Sequence, residues 1–187
     1  MNLVCKSITL IPTTGVKIPN GKAWIGDPCY VFPDTHWANL CSLMFPQKGP
    51  KSHLPAVNDK NGAEVIVEVD DKEYKFWIIG TAYGDGCYTL TKNGSMISDS
   101  LGVDAGLLSV IPLNVLMAWE GTEDGLGVTV ELKQAVLTAN EGNFTLKAPH
   151  DEFQVITDGS NEDDDDFSPD FYENEDDDDF SPDFYEI

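Results

Sequence analysis

Between Leu3 and Ala148 the chain is a succession of short apolar or alternating runs cut by Gly, Asn, Asp and Pro, and this punctuation limits the fold more than any other feature. LVCKSITLI (3–11) stops at Pro12, and a run over 22–25 opens at Asn20-Gly21 and breaks at GDP. AEVIVEV (63–69) alternates, YKFWIIGTAY (74–83) alternates over its first half, and the acidic DDKE between them reads as a hairpin turn. GCYTL (86–90) and SMI (95–97) flank TKNG, whose Asn93-Gly94 is a strong two-residue hairpin signal. GLLSVIPL (106–113), GVTVEL (127–132), QAVLTA (134–139) and FTLKA (144–148) continue the series. Runs of this length are strands, because a packed helix needs more residues to present a whole face.

One segment departs from the pattern. In DTHWANLCSLMF (34–45), Trp37, Leu40, Cys41 and Met44 recur at helical spacing on one face. Asp34 or Thr35 suits its cap and Pro46 ends it. PLNVLMAWE (112–120) fits a short helix or a strand, and 46–62, with three prolines, reads as a loop. The expected fold is mainly β: a small antiparallel barrel or sandwich with one packed helix, an OB-like barrel being one form. The sequence does not give the strand order.

Charge divides the chain in two. Residues 1–150 carry 11 basic and 16 acidic residues, a net of −5, whereas 151–187 carry 17 acidic residues and no basic one. The expected organisation is a β-rich globular domain over 1–157 and a disordered acidic and aromatic tail over 158–187. NEDDDDFSPDFYE occupies 161–173 and recurs letter for letter at 174–186. Such charge density opposes collapse, and Pro169 and Pro182 oppose helix. The acid accounts for solvation, but not for Phe167, Phe171, Tyr172, Phe180, Phe184 and Tyr185. Aromatics at this spacing suit anchoring in a partner's pockets, and acid steers the approach to a basic surface. Two copies permit bivalent binding. The expected partner is a basic, nucleic-acid-handling protein; the chain's own body, or a signalling or adaptor protein that reads DFSPDFYE as a short linear motif, are the alternatives.

All 11 basic residues are lysine. Without arginine's bidentate grip, and with an acidic balance, direct nucleic-acid binding is disfavoured, though it stays open. Trp24, Tyr30, Trp77, Tyr83 and Tyr88 would supply the stacking half of a single-strand groove, with the acidic tail as its regulator. Lys6, Lys17, Lys22, Lys48, Lys51 and Lys60 crowd the first third. The four cysteines, Cys5, Cys29, Cys41 and Cys87, form no CxxC pair and no zinc spacing. The start, MNLVCKSITL, has no charged leader before a long apolar run, and no stretch reaches the roughly 18 apolar residues of a membrane span. The expectation is a cytoplasmic protein with reduced thiols, no cofactor and no membrane; its oligomeric state is not readable.

WIGDPCYVF (24–32) and AYGDGCYTL (82–90) share G-D-x-C-Y, and a third acidic turn, GVDAG, lies at 102–106. On the structural reading the aspartates accept backbone bonds in turns, the glycines supply positive φ, and the tyrosines and cysteines face the core. On the functional reading Asp27, Asp85 and Asp104 converge on a ligand or divalent cation, or share a proton, with Tyr30 and Tyr88 beside them. That would make a small-ligand binder or a metal-dependent hydrolase. Cys29 or Cys87 would be a nucleophile if its pKa were lowered, but His36, His53 and His150 offer no evident mate. The reading favours a non-enzymatic protein with no assigned catalytic or metal residue.

IGDPCYV, TAYGDGCYTL and GVDAGLLSVIP together resemble an uncharacterised group of small bacterial and bacteriophage proteins. In that group a GDPCY-like stretch, a tryptophan-bearing helix, a GDGxY turn and a VD[AS]G turn recur in this order. The resemblance spans roughly 23–112 and implies a small β-rich cytoplasmic protein from a phage or its host. It carries no activity. It implies that Gly26, Asp27, Tyr30, Asp85, Gly86, Asp104 and Gly106 matter, and it leaves the acidic repeat outside.

Overall fold

The computed structural model describes residues 3–44, 62–123 and 126–159. The 46–61 stretch of the expected loop and both acidic repeats lie outside the described residues. The architecture is mainly β, as expected, and takes the sandwich form. The strands are β1 (Leu3–Leu10), β2 (Val16–Lys17), β3 (Gly21–Gly26), β4 (Ala63–Val69), β5 (Lys72–Gly80), β6 (Gly86–Lys92), β7 (Ser95–Val103), β8 (Leu107–Pro112), β9 (Val128–Leu132), β10 (Val136–Asn140), β11 (Asn143–Lys147) and β12 (Glu152–Val155). They form two six-stranded antiparallel sheets, ordered β1-β4-β5-β8-β3-β9 and β2-β10-β11-β12-β6-β7. Helix α1 (Asp34–Met44) and the short helix α2 (Leu113–Ala118) lie on the first sheet. Among the described residues no helix is long and apolar enough to cross a membrane.

Local turn chemistry sets three hairpins. Asp70-Asp71, Asn93-Gly94 and Glu141-Gly142 each put two successive residues at positive φ. That geometry matches the twist of the strands it joins. DDKE is thus a two-residue turn, with Lys72 and Glu73 already in β5. TKNG lies between β6 and β7, and β7 runs to Val103, well past the SMI expected as its extent.

The middle of the first sheet is covered on both faces, which explains its unbroken apolar runs: all six residues of β8 are buried. One core lies between the sheets, with Ile25, Trp77, Leu108 and Val130 facing Leu101, Phe144, Leu146 and Phe153. The other lies under the helices. There Leu40 and Met44 of α1 and Val115 and Leu116 of α2 pack on Val65, Val67, Phe76 and Ile111. Trp37 and Cys41 flank this second core half-buried, so the predicted face of α1 does face inward. Phe32, Phe76 and Trp119 meet there with ring centroids 4.7–5.6 Å apart. The second sheet does not reach β4, whose other face carries Glu64 and Glu68 paired with Lys75 and Lys6.

Candidate functional site

The three Gly-Asp turns meet at one end of the sandwich, but through backbone hydrogen bonds rather than by pooling carboxylates. The meeting starts at the end of β3. Gly26 is not at positive φ; a methyl group there would overlap the Trp24 indole, as would one at Gly127. So this glycine exists for close packing, which corrects its reading as a φ-permissive turn residue. Its carbonyl accepts from the buried Ser109 hydroxyl at 2.8 Å.

Asp27 follows and is fully buried. It caps a single 3-10 turn over Pro28–Tyr30, with proline at the first position, where a missing N–H costs nothing. Its Oδ1 accepts from Cys29 N at 2.9 Å. Its Oδ2 accepts from Asp104 N and Ala105 N, each at 2.8 Å. A buried carboxylate is costly unless its lone pairs are filled. Here one chain segment and a turn 77 residues later fill them.

The 104–106 turn continues the chain of contacts. Gly106, at φ +63, lends its carbonyl to Thr81 N at 2.9 Å and to Thr81 Oγ1 at 3.2 Å. Thr81 Oγ1 also lies 2.6 Å from Gly84 O, and Tyr88 OH donates to the same carbonyl at 2.9 Å. Ala82 N donates to the buried Thr157 Oγ1 at 2.8 Å, which donates to Gly142 O at 2.9 Å. A Cβ at Gly142 would collide with Ala82 and Thr157. Asn143 completes the seam, accepting from Thr157 N and donating to Asp158 Oδ2, both at 2.6 Å.

Around this seam the candidate residues separate. Asp27 points inward and is engaged; Asp85 and Asp104 are exposed. Among the described residues no three His, Cys, Asp or Glu side chains form a group that could hold a metal. Tyr30 is half-buried, and its phenol is pushed up to about 12, chiefly by its hydrogen bond to the Asp104 carboxylate. Burial, then hydrogen bonding to Asp27, pushes the Cys29 thiol well above its ordinary value. Burial does the same to Cys41 on α1, helped by the Asp27 charge. A nucleophilic thiol needs the opposite shift, so Cys29 is not built for attack. Cys87 is exposed rather than core-facing, which corrects the expectation that both cysteines point inward.

A groove of about 770 Å³ lies beside the start of β6, which runs past the end of its pairing with β12, lined by Tyr83, Asp85, Cys87, Tyr88, Gln154 and Gly159 among others. It brings together two of the five candidates, Asp85 and Tyr88. Asp27 and Asp104 lie off its lining, on the turns behind. Tyr83, 74% exposed, stands over Gly159, where the described chain ends. Thr81 and Thr157 carry much of this end's bonding, and a lone threonine just past a strand's end gives no periodic signal to mark it. Trp24 and Trp77 are 1% exposed. They sit in cores and cannot stack on bases, which removes the main platform of the single-strand reading. Lys6 is committed to Glu68. Comparison with known protein families, with curated proteins and with solved structures finds no match.

Proposed function

We propose that this chain is a non-enzymatic interaction protein, encoded by a phage, whose acidic aromatic segment 158–187 binds and blocks a basic, nucleic-acid-handling protein in the host cytoplasm. The observation that carries the body's half of this reading is the state of Asp27. Its two oxygens already serve three backbone amides and the side chain is fully buried, so the residue at the centre of the Gly-Asp motif is a fastener. Cys29 beside it holds its proton too tightly for nucleophilic work. The body is then a rigid carrier, which leaves the repeat as the working part. The phage source rests on the GDPCY, GDGxY and VDAG resemblance.

The test is affinity capture from host lysate with the full chain and with a chain ending at Gly159. The proposal expects a basic protein retained by the full chain alone, and released as salt rises. The same partners on both baits, or none on either, would remove it. One observation favours a second reading: the groove beside Asp85 and Tyr88 has the size of an ordinary ligand cleft. Saturable binding of a small ligand that is lost in Asp85→Asn would favour a ligand-binding body over a passive carrier.

A further inference from the structure

A second cleft, of about 930 Å³, runs along β9. Val128, Thr129, Val130 and Glu131 all line it. Successive strand side chains point to opposite faces, so four consecutive residues share a cleft only where it follows the strand's edge. That edge is open: among the described residues β9 pairs with β3 alone. Across the cleft stand Lys92 of β6, Ile97 of β7 and Phe153 of β12. β7 is the end strand of the second sheet. Gly102 N donates to Leu126 O at 3.2 Å, tying β7 to the segment that leads into β9. Past that bond no ladder joins β7 to β9 among the described residues. The sandwich therefore has a seam in which β9 presents backbone donors and acceptors to an empty strand position.

We propose that this seam takes an extended segment as an added strand, and that the segment is the chain's own repeat, FSPDFYE at 167–173 or its copy at 180–186. The inference rests on reading the repeat as an interaction element, and four observations support it. FSPDFYE has strand periodicity: Phe167, Pro169 and Phe171 fall on one face, Ser168, Asp170 and Tyr172 on the other. Pro169, which lacks an N–H, is tolerated in the strand orientation that turns the backbone groups of Phe167, Pro169 and Phe171 away from β9. The cleft offers Ile97, 43% exposed, as its apolar contact, and the lysines Lys92 and Lys133. Two acids, Glu131 and Asp151, also line it. Asp151 is paired with Lys92 at 2.9 Å, whereas Lys133 has no ion-pair partner among the described residues. Finally, the chain reaches. Phe153 lines the cleft and Gly159 is six residues on; the eight residues to Phe167 extend to roughly 28 Å, more than the roughly 21 Å that six residues span. One copy docked leaves the other available, so a basic partner meets one exposed motif and displaces the second.

Hydrogen exchange on the full chain tests this. The comparison is with a variant in which Phe167, Phe171, Phe180 and Phe184 are all serine and every acid is kept. The expected result is about tenfold slower exchange of β9 amides in the parent chain, with the β10–β11 hairpin unchanged. A body variant, Ile97→Asp at an exposed position, should release β9 to the same degree with the tail intact. Equal β9 exchange in all three proteins would overturn the proposal. Protection that grows with protein concentration would assign the strand to a second copy and overturn the own-chain assignment. A captured basic partner with unprotected β9 removes this inference alone, and protected β9 with no captured partner removes the proposed function alone.

Discussion

Replacing Asp27 separates a fastener from a reactive group. In Asp27→Ala three part-buried backbone N–H groups, of Cys29, Asp104 and Ala105, lose the fully buried carboxylate that accepts from them. A hydrogen bond to a charged group contributes about 1.5–3 kcal/mol, and an orphaned buried donor costs about 1–3 kcal/mol. Relief from burying a carboxylate offsets part of the sum, so a net loss of about 3–5 kcal/mol is expected. Asp27→Asn keeps the shape, but its amide nitrogen must face either the Cys29 amide or the Asp104 and Ala105 pair, donor against donor. Its expected loss is about 2–3 kcal/mol. In a domain of this size that lowers Tm by roughly 5–10 °C. Urea unfolding followed by tryptophan fluorescence measures both losses, since Trp24 lies three residues before Asp27 and is buried. A catalytic carboxylate behaves in reverse, because removing it relieves a buried charge without orphaning a scaffold. Unfolding free energies within about 0.5 kcal/mol of the parent for both variants would refute the reasoning.

Other consequences are equally concrete. Gly127→Ala forces a methyl group into the Trp24 ring and the Ile25 carbonyl, and should cost about 1–3 kcal/mol in the same assay. The Tyr30 phenol rises from 10.0 to about 12 in the fold. Its contribution is therefore complete below the unfolded value and lost as pH climbs through the folded one. Stability should fall across that alkaline window, and Asp104→Asn should bring the tyrosinate absorbance transition down toward the ordinary value. The Cys29 thiol, raised by burial and Asp27, should alkylate far more slowly than exposed Cys87 at neutral pH, as peptide mass mapping would show.

The elements that local chemistry dictates were legible in the letters. Asn93-Gly94 and the acidic pair at 70–71 announced their hairpins, because a two-residue turn depends only on its own φ values. α1 was legible because its 3.6-residue period survives inside a β-rich chain. What lay hidden depends on distant partners. β3 pairs between β8 and β9, more than eighty residues away, and no local pattern encodes that. The rest of β7 gives no strand signal in its middle, Ser98-Asp99-Ser100, which is polar and exposed or half-buried. β12, at Glu152–Val155, is hidden between a proline-histidine turn and the acidic tail. At the candidate site the turn bond from Asp27 to its near neighbour was foreseeable. Its hold on the Asp104 turn was not, nor was the role of Gly26 as room for an indole ring.

The central claim is that acid and aromatics act together in the repeat. Its most direct test is titration of the captured basic partner, over a salt series, with the full chain and with the four-serine variant of identical charge. The account predicts that the variant loses about tenfold or more in affinity at physiological salt, while both proteins show the same salt slope. Equal affinities would contradict it and reduce the repeat to charge alone.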